Sequence, residues 1–213
     1  MIPKILPACP AHAEIVVSHS RFIASISPAL SVADARAFIA RIKTEFTDAS
    51  HNVPAFIIGH GQSITEHCHD DGEPQGTAGR PVLAVLRGSG LGDVAVVVTR
   101  YFGGTKLGKG GLVRAYGDAV RAALEIVPRA EKVAVDTLLA AVPYPLFERT
   151  RLLIAEHGGQ IIEETFAADT TLNARFRQEQ TAAFQKALGE VSHGQVTGEI
   201  IESGAELILP LDE

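Results

Sequence analysis

The chain has 213 residues, a formal net charge of −6 and a pI of about 5.8. Hydrophobic residues make up 46% and charged residues 21%, which excludes disorder along the whole chain. The length allows one large domain or two small ones, and the acidic average argues against a simple polyanion binder.

Cys9 and Cys68 are too few for a disulfide framework and fit a reducing compartment. No run approaches the ~18 apolar residues of a membrane span. Pro3, Pro7 and Pro10 break the first apolar stretch, so no signal peptide is expected in Met1 to Ala13. The expected location is the cytoplasm, with no membrane association.

Ile15 to Val17 and Arg21 to Ile26 read as short strands joined by a polar turn. Ser31 then caps a helix with Asp34 as its capping-box partner. Val32, Ala35, Phe38, Ile39, Ile42 and Phe46 form its apolar stripe. Strands are predicted at Val53–Ile58 and Ile64–Cys68. After a loop from Asp70 to Arg80, Pro81 opens a short helix ending at Leu86. Asp93–Tyr101 is a continuous apolar run, as a buried strand would be. A Gly-rich loop, Gly103 to Gly111, leads into a helix predicted at Leu112–Val127.

From about residue 132 the pattern changes. The predicted order is strand Val133–Val142, a helix from Pro145 to the Gly158-Gly159 stop, strands Gln160–Phe166 and Thr171–Phe176, helix Gln178–Leu188, and strands Gln195–Glu202 and Glu206–Leu209. The first six of these read βαββαβ, the ferredoxin-like split unit. The fold class is therefore α+β, with a first domain over 1–132 and a second over 133–213.

Charge separates by domain. Residues 1–133 carry net +2 and residues 134–213 carry −8, while 79–121 alone carry +5. The positive charge lies around two Gly-rich loops. The second loop, between a buried strand and a helix, suits anion binding. Glycines let backbone N–H groups converge on an anion, and the helix offers its positive end. The candidate anion- or partner-binding residues are Arg80, Arg100, Gly103, Gly104, Lys106, Gly108, Lys109, Gly110, Gly111 and Arg114. The loop matches a Walker A motif as far as Lys109, but Gly110 stands where the Mg²⁺-holding Ser/Thr belongs. The competing reading is a tight strand-to-helix turn with solvated lysines.

Asp70, Asp71 and Glu73 put three carboxylates in four residues, followed by Thr77 in the same loop. They can order both loops by pairing with Arg80, Arg100 or Lys106, or hold a hard cation, or act as acid and base. His67 and His69 would share one face of a strand, a spacing also found in metal sites. No second ligand cluster accompanies them, so no metal is expected. No nucleophile elbow is present, and no catalytic residue or cofactor is expected.

Two long segments are specific beyond any single glycine pattern. They are Asp70-Asp71-Gly72-Glu73-Pro74-x-Gly76-Thr77-Ala78-Gly79-Arg80-Pro81 and Val96-Val97-Val98-Thr99-Arg100-Tyr101-Phe102-Gly103-Gly104-x-Lys106-Leu107-Gly108-x-Gly110-Gly111-Leu112. With Ser20-Arg21-Phe22, Ser50-His51-Asn52, Tyr144-Pro145 and Gly194-Gln195-Val196, the chain resembles the IMPACT family in its bacterial, YigZ-type two-domain form. The resemblance implies an N-terminal domain like ribosomal protein S5 domain 2. It also implies a ferredoxin-like C-terminal domain similar to domain V of elongation factor G. Eukaryotic members are translational regulators that bind a partner protein controlling a stress kinase; they carry a different accessory domain, so that partner is not expected for this chain. The expected function is a non-enzymatic, translation-associated or regulatory binding protein. RNA, the ribosome or an acidic protein would be the partner, without DNA specificity. The alternative is a hydrolase using Asp70, Asp71 and Glu73.

Overall fold

The computed structural model describes residues 3–211, so the extreme ends of both expected domains lie outside the described residues. The described chain divides into two compact units, one formed by residues 3–132 with 208–211 and the other by Val133–Leu207.

The first unit is built on β2 (Ala11–Val17), β3 (Ser20–Pro28), β4 (His51–His60), β5 (Ser63–Cys68) and β6 (Val94–Tyr101), after a short β1 (Ile5–Pro7). The sheet order is β2-β3-β6-β4-β5, and every neighbouring pair is antiparallel. β6 lies in the middle, which explains why its sequence is apolar throughout rather than alternating: both faces are covered. On one face, Val94, Val96 and Val98 pack with Phe22, Ile26 and Val53 against α2 (Gly79–Ser89) and α3 (Gly108–Ile126). On the other, Ala95, Val97 and Phe56 meet Ala35, Phe38 and Ile42 of α1 (Val32–Glu45). The Ser31 side chain accepts the Asp34 N–H at 3.1 Å, so this helix starts where its capping sequence predicts.

β2 and β3 are joined by Ser18-His19, both at positive φ (48° and 67°), the signature of a two-residue type I′ hairpin. No glycine fills either position, so the turn stores backbone strain.

The second unit holds most of β7 (Arg129–Val142), then α4 (Phe147–Glu156), β8 (Gln160–Phe166), β9 (Thr170–Arg177), α5 (Gln178–Val191) and most of β10 (Glu199–Pro210), in βαββαβ order. Their sheet runs β10-β7-β9-β8, the ferredoxin-like arrangement. Leu138, Ala140 and Val142 of β7 and Leu172, Ala174 and Phe176 of β9 project from one face onto Leu153, Ile154, Phe184 and Leu188 of the helices. The alternation predicted at Thr171–Phe176 is this face.

Three expectations are corrected. α2 begins at Gly79 rather than at Pro81, and α3 begins at Gly108, inside the segment read as loop. The final two predicted strands are one, β10. Gly204 sits in it at φ 72° and donates its N–H to Asp136, so the glycine bends the strand without ending it. Residues 208–211 belong to the first unit, where Leu211 N–H donates to the Arg129 carbonyl at 3.0 Å.

Candidate functional site

The acidic loop follows β5 and is held from within. Asp70 accepts N–H bonds from Gly76 (2.7 Å), Ala78 (3.1 Å) and Gly79 (2.8 Å). It thereby caps α2, whose own N-cap residue, Ala78, has no side chain able to do so. Burial alone would raise the Asp70 pKa, but the three N–H bonds outweigh it and hold the carboxyl below its usual range. Asp71, at φ 48°, accepts Lys43 Nζ at 2.6 Å and the Asn52 N–H at 2.7 Å, and its pKa is lowered in the same way against burial. The Thr77 hydroxyl donates to the Pro74 carbonyl at 2.6 Å.

Glu73 points into the core. Its Oε1 accepts Arg100 Nη1 at 2.5 Å and the Tyr116 hydroxyl at 2.8 Å, and His51 Nε2 lies 3.8 Å away. Arg100 is 5% exposed, with its guanidinium 5.4 Å from the Phe22 ring centroid and 5.5 Å from that of Phe102. Burial, then the adjacent Glu73 charge, push the Tyr116 hydroxyl far above its ordinary pKa, which keeps it a neutral donor. These carboxylates therefore order the loops. Arg100 is the partner among the three cations considered, while the Lys43 contact to Asp71 was not foreseen. Arg100 accordingly leaves the exposed basic set and becomes the buried support beneath it.

The basic loop starts where β6 ends. Gly103 N–H donates to Ser20 Oγ at 3.1 Å, and a Cβ built on Gly103 would stand 2.0 Å from the His19 carbonyl carbon. Only glycine permits this approach to the strained hairpin turn. The neighbouring Phe102 N–H donates to Ser50 Oγ at 3.1 Å. Ser20 and Ser50, each within a short upstream signature, thus tie the loop to the first residue of β3 and to the residue just before β4.

Beyond these ties, Gly104, Lys106, Gly108, Lys109 and Gly110 are exposed, as are Arg80 and Arg114; Gly111 is half-buried. α3 begins at Gly108 with no side-chain cap and no acidic residue in its first turn. Its terminal N–H groups thus coincide with Lys106 and Lys109, the arrangement that suits an anion.

A second buried carboxylate escaped the sequence reading. Asp93, 1% exposed, accepts the Gly59 N–H at 2.8 Å and Lys132 Nζ at 2.9 Å, with His60 Nε2 at 3.2 Å. These contacts outweigh burial and keep its pKa low. Its position at the edge of an apolar run gave no signal of that role. Among the described residues, no group of three or more His, Cys, Asp or Glu is placed to hold a metal. No helix among them is long and apolar enough to cross a membrane.

An antiparallel sheet bearing two loops locked by a buried ion pair, followed by a ferredoxin-like unit, defines a two-domain α+β class. Comparison with known proteins places it. The Impact N-terminal domain family matches residues 18–124, and a domain family of unknown function, DUF1949, matches residues 141–195. An IMPACT family member of Haemophilus influenzae is 35% identical over 96% of this chain and 100% of its own length. YigZ of Escherichia coli, also an IMPACT family member, is 34% identical over 90% of this chain and 95% of its own. A crystal structure described only as that of a hypothetical protein aligns with a TM-score of 0.61. It is 35% identical and covers 95% of this chain and 98% of that one. The chain belongs to the IMPACT family. Membership supports, in general terms, a non-enzymatic regulatory or translation-associated protein.

Proposed function

We propose that this protein is a cytoplasmic, translation-associated RNA-binding protein that grips phosphate with the basic loop of its first unit. The observation that carries the reading is the coincidence of an uncapped, acid-free α3 start with exposed Lys106 and Lys109. Backbone N–H groups would reach phosphate oxygens there, and the lysines would release counterions. Arg80 and Arg114 would extend the contact, and exposed Phe102 offers a ring for stacking beside the loop.

The alternative hydrolase needs Asp70, Asp71 or Glu73 free to act. The bonds of these groups to backbone, Lys43 and Arg100 favour the binding role. Co-sedimentation with ribosomes and with purified RNA, with and without nuclease, tests the proposal. Low-salt binding lost in the Lys106→Glu, Lys109→Glu double variant supports it. Absence of binding at low salt, or equal binding by the variant, overturns it.

A further inference from the structure

The His67–His69 pair takes no part in the loop network above except through one contact, and it faces a separate cleft. Arg36, Ile39, Ala40 and Lys43 of α1 form one wall, and Pro54, Phe56, His67 and His69 form the other, around a volume of about 380 Å³. The construction follows from the sequence. Positions 36, 39, 40 and 43 fall on one helix face, 54 and 56 on one strand face, and 67 and 69 continue that face across the sheet. Phe56 and His67 are directly paired, and their rings stack at 5.4 Å with an interplanar angle of 29°. The His69 N–H bonds the Pro54 carbonyl at 3.2 Å, which carries the pairing one residue past β5.

The polar groups have defined states. His69 Nδ1 accepts the Asp71 N–H at 2.9 Å, so a neutral His69 must carry its proton on Nε2 as a donor. Lys43 donates to Asp71, which offsets one positive charge and leaves further N–H donors. Arg36 is exposed and makes no ion pair among the described residues. The exposed His67 ring, backed by buried Phe56, is a platform for a planar group. The cleft therefore combines a guanidinium suited to bidentate phosphate contact with the His69 imidazole donor and an aromatic floor. Its size falls in the range of small-ligand sites.

We propose that this cleft binds a nucleoside monophosphate, the phosphate against Arg36 and the His69 Nε2–H, the base on His67. Isothermal titration of the full chain with adenosine 5′-monophosphate, adenosine and inorganic phosphate tests it. The expected result is saturable binding of the nucleotide, at least ~10-fold tighter than either fragment. It should weaken at least ~10-fold in Arg36→Ala and in His67→Ala, both exposed positions whose truncation leaves the fold intact. The Lys106→Glu, Lys109→Glu variant should bind the nucleotide as the parent does, which separates this site from the basic loop. No saturable binding, nucleotide affinity no better than that of phosphate, or binding indifferent to both truncations would each overturn the proposal.

Discussion

The interaction that most constrains the first unit is the contact between Glu73 and Arg100. Both groups are buried, and neither is solvated well enough to stand alone. Removing one partner of such a pair strands the other charge in a poor solvent, at a cost of about 3–5 kcal/mol. Glu73→Gln preserves shape and an acceptor while removing the charge, so denaturant unfolding of the first unit should show a loss of that size. A loss below about 1 kcal/mol would mean that the pair is far better hydrated than its burial indicates. The three aspartates respond to pH in a set direction. Asp70, Asp71 and Asp93 all have folded pKa values below the usual range. Their contribution is complete above the unfolded value of about 3.9 and is lost as pH falls through the folded values. The melting temperature of the first unit should accordingly hold near pH 5–6 and drop below about pH 4. Asp70→Asn should make that drop shallower, and an unchanged acid limb in the variant would contradict the assignment.

Between residues and molecule stand the helix starts, where local pattern and structure part company. Ser31 was legible because its partner is three residues away. The α2 start was not, because its cap is Asp70, nine positions before Gly79, across a loop whose closure no local window reveals. For α3, four residues rich in glycine read as loop, since glycine is a poor helix former. The helix nonetheless includes them, continuous with a face where Leu112, Ala115 and Tyr116 are buried. Arg100 carried two readings: its pairing with the acidic loop was legible as one of three choices, whereas its place in the exposed basic set fails because the fold buries it over Glu73. Loop geometry at this scale depends on Gly103. Gly103→Ala would drive a methyl into the His19 carbonyl. The backbone there must shift, so the variant should melt several degrees lower and lose amide-exchange protection around residues 18–20 and 101–104. Exchange protection identical to the parent would show that the close approach is not enforced.

At the scale of the whole molecule, the net charge of −6 conceals a first domain near neutrality and a second that is strongly acidic. The βαββαβ order and the α+β class were readable from alternation and turn residues, and the family from its two long signatures. What remained hidden was the grouping of Ile208 onward with the first unit, because strand pattern carries no record of its pairing partner. The charge separation bears directly on function. An RNA partner should meet the basic loops and avoid the acidic unit, so binding should depend steeply on salt and on only a few cations.

The most direct measurement is the affinity for single-stranded RNA across a salt series, for the parent chain and for Lys106→Glu with Lys109→Glu. Each phosphate neutralised contributes roughly 0.7 to the slope of log affinity against log salt. Two lysines that each contact a phosphate predict a slope shallower by about 1–1.5 in the variant, together with weaker binding at every salt concentration. Identical slopes, or RNA affinity that does not fall with salt, would contradict the claim that the basic loop is the phosphate grip.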